Sequence, residues 1–323
     1  MDDRIKVSVI VPVYNAGDRI YKCLDTLVNQ TLREIEIICV LDCPTDGTDK
    51  EVEEYAKKDD RIVIVRNECN VHISGSRNEG LKIARGEYIG FSDHDDYRDL
   101  KMYEILYDIA SKENDDIVVS DVRVNHENGR EENVCWGDVR KEAIINSIIL
   151  PMEAPNNSNR ISKSVWHSIY RKSLLDKNDI RFEDRRVYFE EDTLFNLKAM
   201  IYANNVGYSD EVLYVWDKHY DSESNKWPTE IPKKQIKAAK YMATLLFQTC
   251  KFDCFKNSLY QLLSKELNVY FTRYKALEGK ERTELCGMIR EIRFPVFGRY
   301  DLRLLSKKRI KLLFFVLKAK YIG

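Results

Sequence analysis

The chain has 323 residues, 33% of them charged, and its 52 Lys and Arg against 53 Asp and Glu leave a net charge of −1. So balanced a charge gives no global field for nucleic acid, which is not expected as a partner, and membrane contacts must be sought in local patterns. The length supports a sizeable core and suggests about two domains or one enlarged one.

Eight cysteines, at 23, 39, 43, 69, 135, 250, 254 and 286, show neither the paired spacing of a zinc ribbon nor the density of a secreted disulfide scaffold. Most read as small core residues of a reducing compartment, and Cys250 and Cys254, one helical turn apart, are expected to pack. Met1-Asp2-Asp3-Arg4 runs into a strand pattern with no apolar leader, and no uncharged stretch reaches membrane-spanning length. A cytoplasmic protein is expected.

From residue 7 the apolar pattern alternates between short β-branched runs and helical ones. Strands are predicted at 7–13, 35–41, 62–65 and 87–92, with helices at 18–30, 50–57 and 76–84 between them. The first run, Val7 to Val13, is apolar at nearly every position, as in a strand buried on both faces. A helix at 99–111 leads to a strand at 116–120, Asn128-Gly129 marks a hairpin, and a helix follows near 142–149. A strand and turn at 165–171 precede the acidic segment Glu190-Glu191-Asp192, which opens a helix to about residue 203, and a further strand is predicted at 208–216. Helices dominate thereafter, at 235–249, 257–276 and 280–292. The reading is an α/β domain at 1–221, a mostly parallel sheet flanked by helices, and a helical C-terminal region at 222–323, with the boundary in the Ser, Asn and Pro-rich stretch 221–232.

In such a sheet the carboxyl ends of parallel strands share one edge, and ligands bind there. Three strand ends would meet: Pro12-Val13-Tyr14-Asn15, Asp42-Cys43-Pro44-Thr45-Asp46 and Asp93-His94-Asp95-Asp96. The last places three carboxylates and an imidazole after a buried strand. Hard oxygen ligands of this kind suit Mg²⁺ or Mn²⁺, ions that also bridge to substrate phosphates. A solvated turn with Asp95 or Asp96 capping the next helix accounts for the same residues equally well. No Gly-x-Gly-x-x-Gly and no Walker-type Gly-Lys-Ser/Thr is present, so dinucleotide and P-loop sites are not expected.

Val7 to Asn15, Gln30-Thr31, Ile35 to Asp42, Thr45-Asp46, Arg77-Asn78-Glu79-Gly80-Leu81, Gly86-Glu87-Tyr88-Ile89 and Phe91 to Tyr97 strongly resemble the large family of inverting bacterial glycosyltransferases of family 2 with the GT-A fold. The resemblance is dense from residue 6 to about 99 and sparser to about 222. It implies a Rossmann-like GT-A domain. It also implies transfer of a sugar from a nucleotide diphosphate donor, a UDP-sugar first among them, to a hydroxyl of a surface glycan or lipid-linked glycan, of the lipopolysaccharide or capsule kind.

By position, the resemblance puts Pro12, Tyr14 and Asp42 around the nucleotide, with Asp42 on the base, Asp93 on the ribose side and Arg77 near the donor. It puts Asp95 on a Mg²⁺ or Mn²⁺ ion at the diphosphate and makes Asp192 the catalytic base; His219 faintly matches a position that completes the metal shell or contacts the diphosphate, and a surface histidine fits it nearly as well. For Asp192 the dipole of the following helix favours the charged form a base requires, although a first-turn acid fits the same pattern. Leu41 replaces an acid that often precedes Asp42, Cys43-Pro44 replaces a Gly-Ser pair, and His94 fills the middle of the Asp-x-Asp signature.

Trp166 and Tyr170 are candidates to stack on sugar faces, though strand aromatics more often belong to the core. The tail at 302–323 carries seven Lys and Arg, no acidic residue after Asp301, and the apolar run Leu312 to Leu317. It suits peripheral docking to the anionic inner face of the cell membrane as well as it suits packing on its own domain. Two other functions remain compatible with the pattern: an aspartate-nucleophile phosphohydrolase, weakened by Tyr97 standing where a hydroxyl residue belongs, and a glycan- or nucleotide-binding protein without catalysis.

Overall fold

A computed structural model describes residues 4–136, 139–149, 163–188, 190–219, 231–259 and 262. The chain divides into two compact units, Met1–Pro228 and Thr229–Gly323. The tail at 302–323 and the expected helix at 280–292 lie outside the described residues, as does most of that at 257–276.

In the first unit β1 (Val7–Val13) and β2 (Ile35–Leu41) are buried at every position. Continuous apolar runs of this kind need cover on both faces, and each fully buried Val, Ile or Leu contributes roughly 1.5–3 kcal/mol of transfer free energy. Helix α1 (Arg19–Val28) supplies part of that cover, burying Ile20, Cys23, Leu24 and Leu27. Parallel pairing joins β1 to β2, β2 to β3 (Ile62–Arg66) and β1 to β4 (Tyr88–Phe91). The crossovers are α1, α2 (Thr48–Ala56) and α3 (His72–Ile83). Helix α3 begins four residues before the predicted start.

Beyond β4 the parallel pattern breaks. Strand β8 (Ser168–Arg171) inserts antiparallel between β4 and β6 (Ile117–His126), and β9 (Val206–Lys218) pairs parallel with β6. The sheet runs β3-β2-β1-β4-β8-β6-β9-β5, where β5 is the short Tyr97–Arg98 strand, antiparallel to β9. Strand β7 (Glu131–Val134) pairs with β6 through a hairpin whose Gly129 has φ +79°, the left-handed conformation that the Asn-Gly signal anticipates. Helices α4 (Met102–Glu113), α5 (Lys141–Ile149), α6 (Lys172–Lys177) and α7 (Glu191–Tyr202) complete the unit.

The cysteine expectation needs correction. Cys23 and Cys39 are buried, but Cys69, Cys135, Cys250 and Cys254 are exposed, so the last two do not form a packed pair. In the second unit α8 (Ile231–Gln248) buries Ala238, Ala239, Met242, Ala243, Leu245 and Leu246. Two residues after its end, Cys250, with φ of +56°, and the Lys251 N–H bond to the Leu246 carbonyl (2.8 Å) form a left-handed cap. A helix at 252–259 follows. No described helix is long and apolar enough to cross a membrane.

Candidate active site

Because β8 is antiparallel to both β4 and β6, strands β1, β2, β4, β6 and β9 run the same way and their carboxyl ends share one edge. The chain leaves β1 and β2 through residues with positive φ, Asn15 (+46°) and Cys43 (+58°). The Cys43 backbone is therefore in the region that favours glycine, which agrees with a Gly-Ser pair elsewhere in the resembled pattern. The two loops are stitched together: Thr45 N–H donates to Asn15 Oδ1 (2.7 Å) and Gly17 N–H to Asp46 Oδ2 (3.0 Å). Tyr14 is exposed beside them, whereas Pro12 is buried within β1.

Asp42 is buried, and its Oδ1 accepts from Asn67 Nδ2 and from the Val71 N–H, both at 2.8 Å. The carboxylate is thus oriented by the segment entering α3. His94 Nδ1 lies 3.1 Å from the Pro12 carbonyl oxygen, which can only accept, so Nδ1 carries the proton.

The acids of the Asp93 to Asp96 cluster have unlike surroundings. Asp96 is buried and accepts from the Tyr214 hydroxyl (2.8 Å) and the Asp217 N–H (2.9 Å), while Tyr214 also accepts from the Asp93 N–H (3.3 Å). It ties the cluster to β9 and does not cap a helix; the next element is β5. Burial, with Asp95 and Asp93 nearby, pushes its carboxyl well above the ordinary range. Burial also raises the Asp95 carboxyl, Asp93 adds to the rise, and His94 and His219 oppose it. No Lys or Arg pairs with Asp95 among the described residues.

The contrast with Glu36, at the far end of β2, is informative. That acid, 3% exposed, accepts from Ser8 Oγ (2.6 Å), the Arg85 N–H (2.7 Å) and the Arg85 guanidinium (2.7 and 3.0 Å). Glu36 is thus a buried acid neutralised by a cationic partner. Asp95 is not.

Across the edge, α7 opens with Glu191 and Asp192. Arg77, on α3 and only 1% exposed, donates through Nη2 to Asp93 Oδ1 (2.9 Å) and through Nη1 to Asp192 Oδ1. The Phe182 ring lies 5.1 Å below the guanidinium. Its neighbour Asn78 clamps the loop before α7: Nδ2 donates to the Phe182 carbonyl and Oδ1 accepts the Phe182 N–H, both at 2.9 Å. Sequence reasoning passed over Asn78 and Phe182, although the amide sits inside the Arg77-Asn78-Glu79-Gly80-Leu81 motif.

Burial raises the carboxyls of both α7 acids. Glu191 is pushed up to about 7 by burial and by Asp192, against Arg185 at 3.4 Å and Arg77. Burial raises Asp192 as well, and Arg77 is the first group that opposes the rise. The guanidinium therefore opposes desolvation at Asp192 in addition to the helix dipole expected from the sequence.

His219 follows β9, lies 3.9 Å from Glu127 at the hairpin tip, and is near enough to Asp95 to act on its charge. Among the described residues no group of three or more His, Cys, Asp or Glu is disposed to hold a metal ion. The unpaired, acid-flanked Asp95 nonetheless fits a hard divalent cation whose remaining ligands come from a phosphate-bearing substrate and water. Trp166 and Tyr170 are interior: Trp166 stacks on Tyr214 (4.4 Å, 18°), and Tyr170 packs against Phe91 and Phe195 with its hydroxyl on Asn196 Oδ1 (2.6 Å). Neither presents a face to a sugar.

The sequence matches the family model "Glycosyl transferase family 2" over residues 8–177. It is 34% identical over 285 residues to the uncharacterized glycosyltransferase EpsJ of Bacillus subtilis, covering 83% of this chain and 75% of that one. It is 30% identical over 222 residues to the poly(ribitol-phosphate) beta-glucosyltransferase of Bacillus spizizenii, covering 68% of this chain and 33% of that protein. The fold superposes on the crystal structure of residues 1–349 of Staphylococcus aureus TarS in complex with UDP with a TM-score of 0.73 at 22% identity, covering 98% of this chain and 88% of that one. The mixed sheet is accordingly the GT-A fold, and the chain belongs to glycosyltransferase family 2.

Proposed function

We propose that the chain is a metal-dependent inverting glycosyltransferase that moves a sugar from a UDP-sugar to a hydroxyl of a bacterial surface-glycan acceptor. The observation that carries this reading is the meeting of Asp93 and Asp192, 99 positions apart in sequence, on the buried Arg77 beside an uncompensated Asp95. The first pair joins a donor-side loop to an acceptor-side acid, and Asp95 supplies the charge that a phosphate-bound cation requires.

Asp42 recognises the base, held by Asn67 and Val71, with Tyr14 and Pro12 beside it and Asp93 toward the ribose. Asp95 and His219 would hold Mg²⁺ or Mn²⁺, which when bound would supply positive charge against that developing on the departing diphosphate. Asp192 takes the proton of the acceptor hydroxyl while that oxygen attacks the anomeric carbon opposite the leaving nucleoside diphosphate, which inverts the centre in one displacement. The UDP complex of TarS supports the choice of nucleotide, and the poly(ribitol-phosphate) named for the B. spizizenii relative supports a surface-polymer acceptor. The basic, apolar tail at 302–323 supports work at an anionic membrane surface.

Asp192→Asn tests the base. The variant should bind UDP-sugar with wild-type affinity and lose turnover by a factor on the order of 10² to 10⁴. Wild-type turnover in Asp192→Asn would overturn the assignment.

A further inference from the structure

Arg77 is placed by the resemblance near the donor, as a basic side chain available to it. Its surroundings argue otherwise. The side chain is 1% exposed, Nη2 is engaged by Asp93, Nη1 by Asp192, and Nε is buried without a partner among the described residues. One face of the guanidinium is covered by Phe182. At 1% exposure the guanidinium presents almost no surface to a substrate phosphate.

We propose that Arg77 is the positioning residue of the transfer reaction: it fixes the Asp192 carboxylate relative to the Asp93 loop by hydrogen-bonding both, and makes no contact with the donor. The inference rests on the reading of Asp192 as base. A planar guanidinium suits the task because its two Nη atoms lie in a fixed geometry, so the carboxylates they hold are set apart by a rigid spacer. The scaffold around it is equally constrained. Arg77 leaves α3, the helix whose entry is anchored by Asp42 and whose Asn78 clamps the loop leading to Asp192. One helix thus sets the base loop through Asn78 and the base itself through Arg77.

Charge follows from the same contacts. The groups acting on Asp192 are Arg77 from α3, Asp93 from the β4 loop, Arg185 from the loop before α7 and Glu191 beside it, with Tyr170 on β8 also within electrostatic reach. Desolvation and Asp93 favour the protonated acid, whereas Arg77 and Arg185 favour the carboxylate. Arg77 is the only one of these cations hydrogen-bonded to Asp192 among the described residues. Because Oδ1 is bound to Arg77, the proton taken from the acceptor goes to Oδ2.

The test uses Arg77→Gln and Arg77→Lys, each with and without Asp192→Asn, in the full chain. UDP-sugar hydrolysis is followed across pH with water as acceptor, and UDP binding is measured by calorimetry in Mn²⁺. Arg77→Gln should move the acidic limb of kcat upward by about one pH unit or more, with UDP affinity unchanged. Arg77→Lys, which keeps the charge but not the fork, should keep the limb and lose kcat about tenfold or more. In the Asp192→Asn background neither change should cost anything further.

A UDP affinity weakened about tenfold with the limb unmoved would make Arg77 a donor ligand and overturn the proposal, as would losses that add to those of Asp192→Asn. The base reading fails separately, by full turnover in Asp192→Asn. Should Arg77→Gln not fold, Arg77→Lys decides alone: lost kcat with UDP affinity retained supports the inference, and lost affinity with kcat retained contradicts it.

Discussion

Glu191 and Asp192 are neighbours in the chain with different surroundings. Asp192 has a buried guanidinium hydrogen-bonded to it, while Glu191 has Arg185 at 3.4 Å and is pushed up to about 7 by burial and by Asp192. A carboxyl raised in the folded state stabilises the fold while it is protonated. Its contribution is full below its ordinary value of 4.5 and disappears as pH rises through about 7. Glu191→Gln keeps the neutral form at every pH, so its urea midpoint should gain on that of the wild type as pH rises across this window. Parallel midpoint curves for the two proteins would show that Glu191 titrates normally. At this scale the sequence, through the resemblance, assigned the acids separate uses and left Asp96 a structural one. What it did not display is the contact that serves that use: the partners Tyr214 and Asp217 lie more than a hundred positions away.

Helix α3 carries most of what the site requires, and its motif divides by face. Arg77 and Asn78 point to the site and the base loop, Glu79 is a surface residue paired with Lys82 (2.6 Å), and Gly80 meets the sheet. A Cβ at Gly80 would lie 2.5 Å from Ile10 Cγ2, and Ile10 is fully buried with nowhere to retreat. Gly80→Ala should therefore move α3 off β1, costing about 1–3 kcal/mol in a urea titration. It should also lower turnover more than this instability explains, because Arg77 stands one turn away. Unchanged stability would mean that the helix–strand contact is looser than the geometry shows. The parallel half of the sheet was legible in the sequence because strands buried on both faces leave continuous apolar runs, as in Val7–Val13. The start of α3 was not: no capping side chain of its own marks it, and the entering N–H of Val71 is held by Asp42 from another strand. The insertion of β8 between β4 and β6 was equally hidden, since pairing order between distant strands leaves no local pattern.

For the whole molecule, the family follows from 34% identity across most of two chains and from a family match spanning residues 8–177, while the GT-A sheet follows from the superposition. What the family does not supply is the sugar, because loop side chains on a shared scaffold select it. The chain's own contribution is a carboxyl edge on which Asp95 has neither a cationic side chain nor the neutral donors that hold Asp42 and Asp96 among the described residues, whereas Glu36 at the opposite edge is paired with Arg85. A divalent cation held there with a diphosphate would complete the balance. The most direct measurement is therefore release of UDP from a panel of UDP-sugars, read by mass spectrometry with Mn²⁺ present and after chelation by EDTA. At least one UDP-sugar should be turned over with Mn²⁺, with the activity lost on chelation and restored by added metal. Turnover that continues undiminished in EDTA would contradict metal dependence.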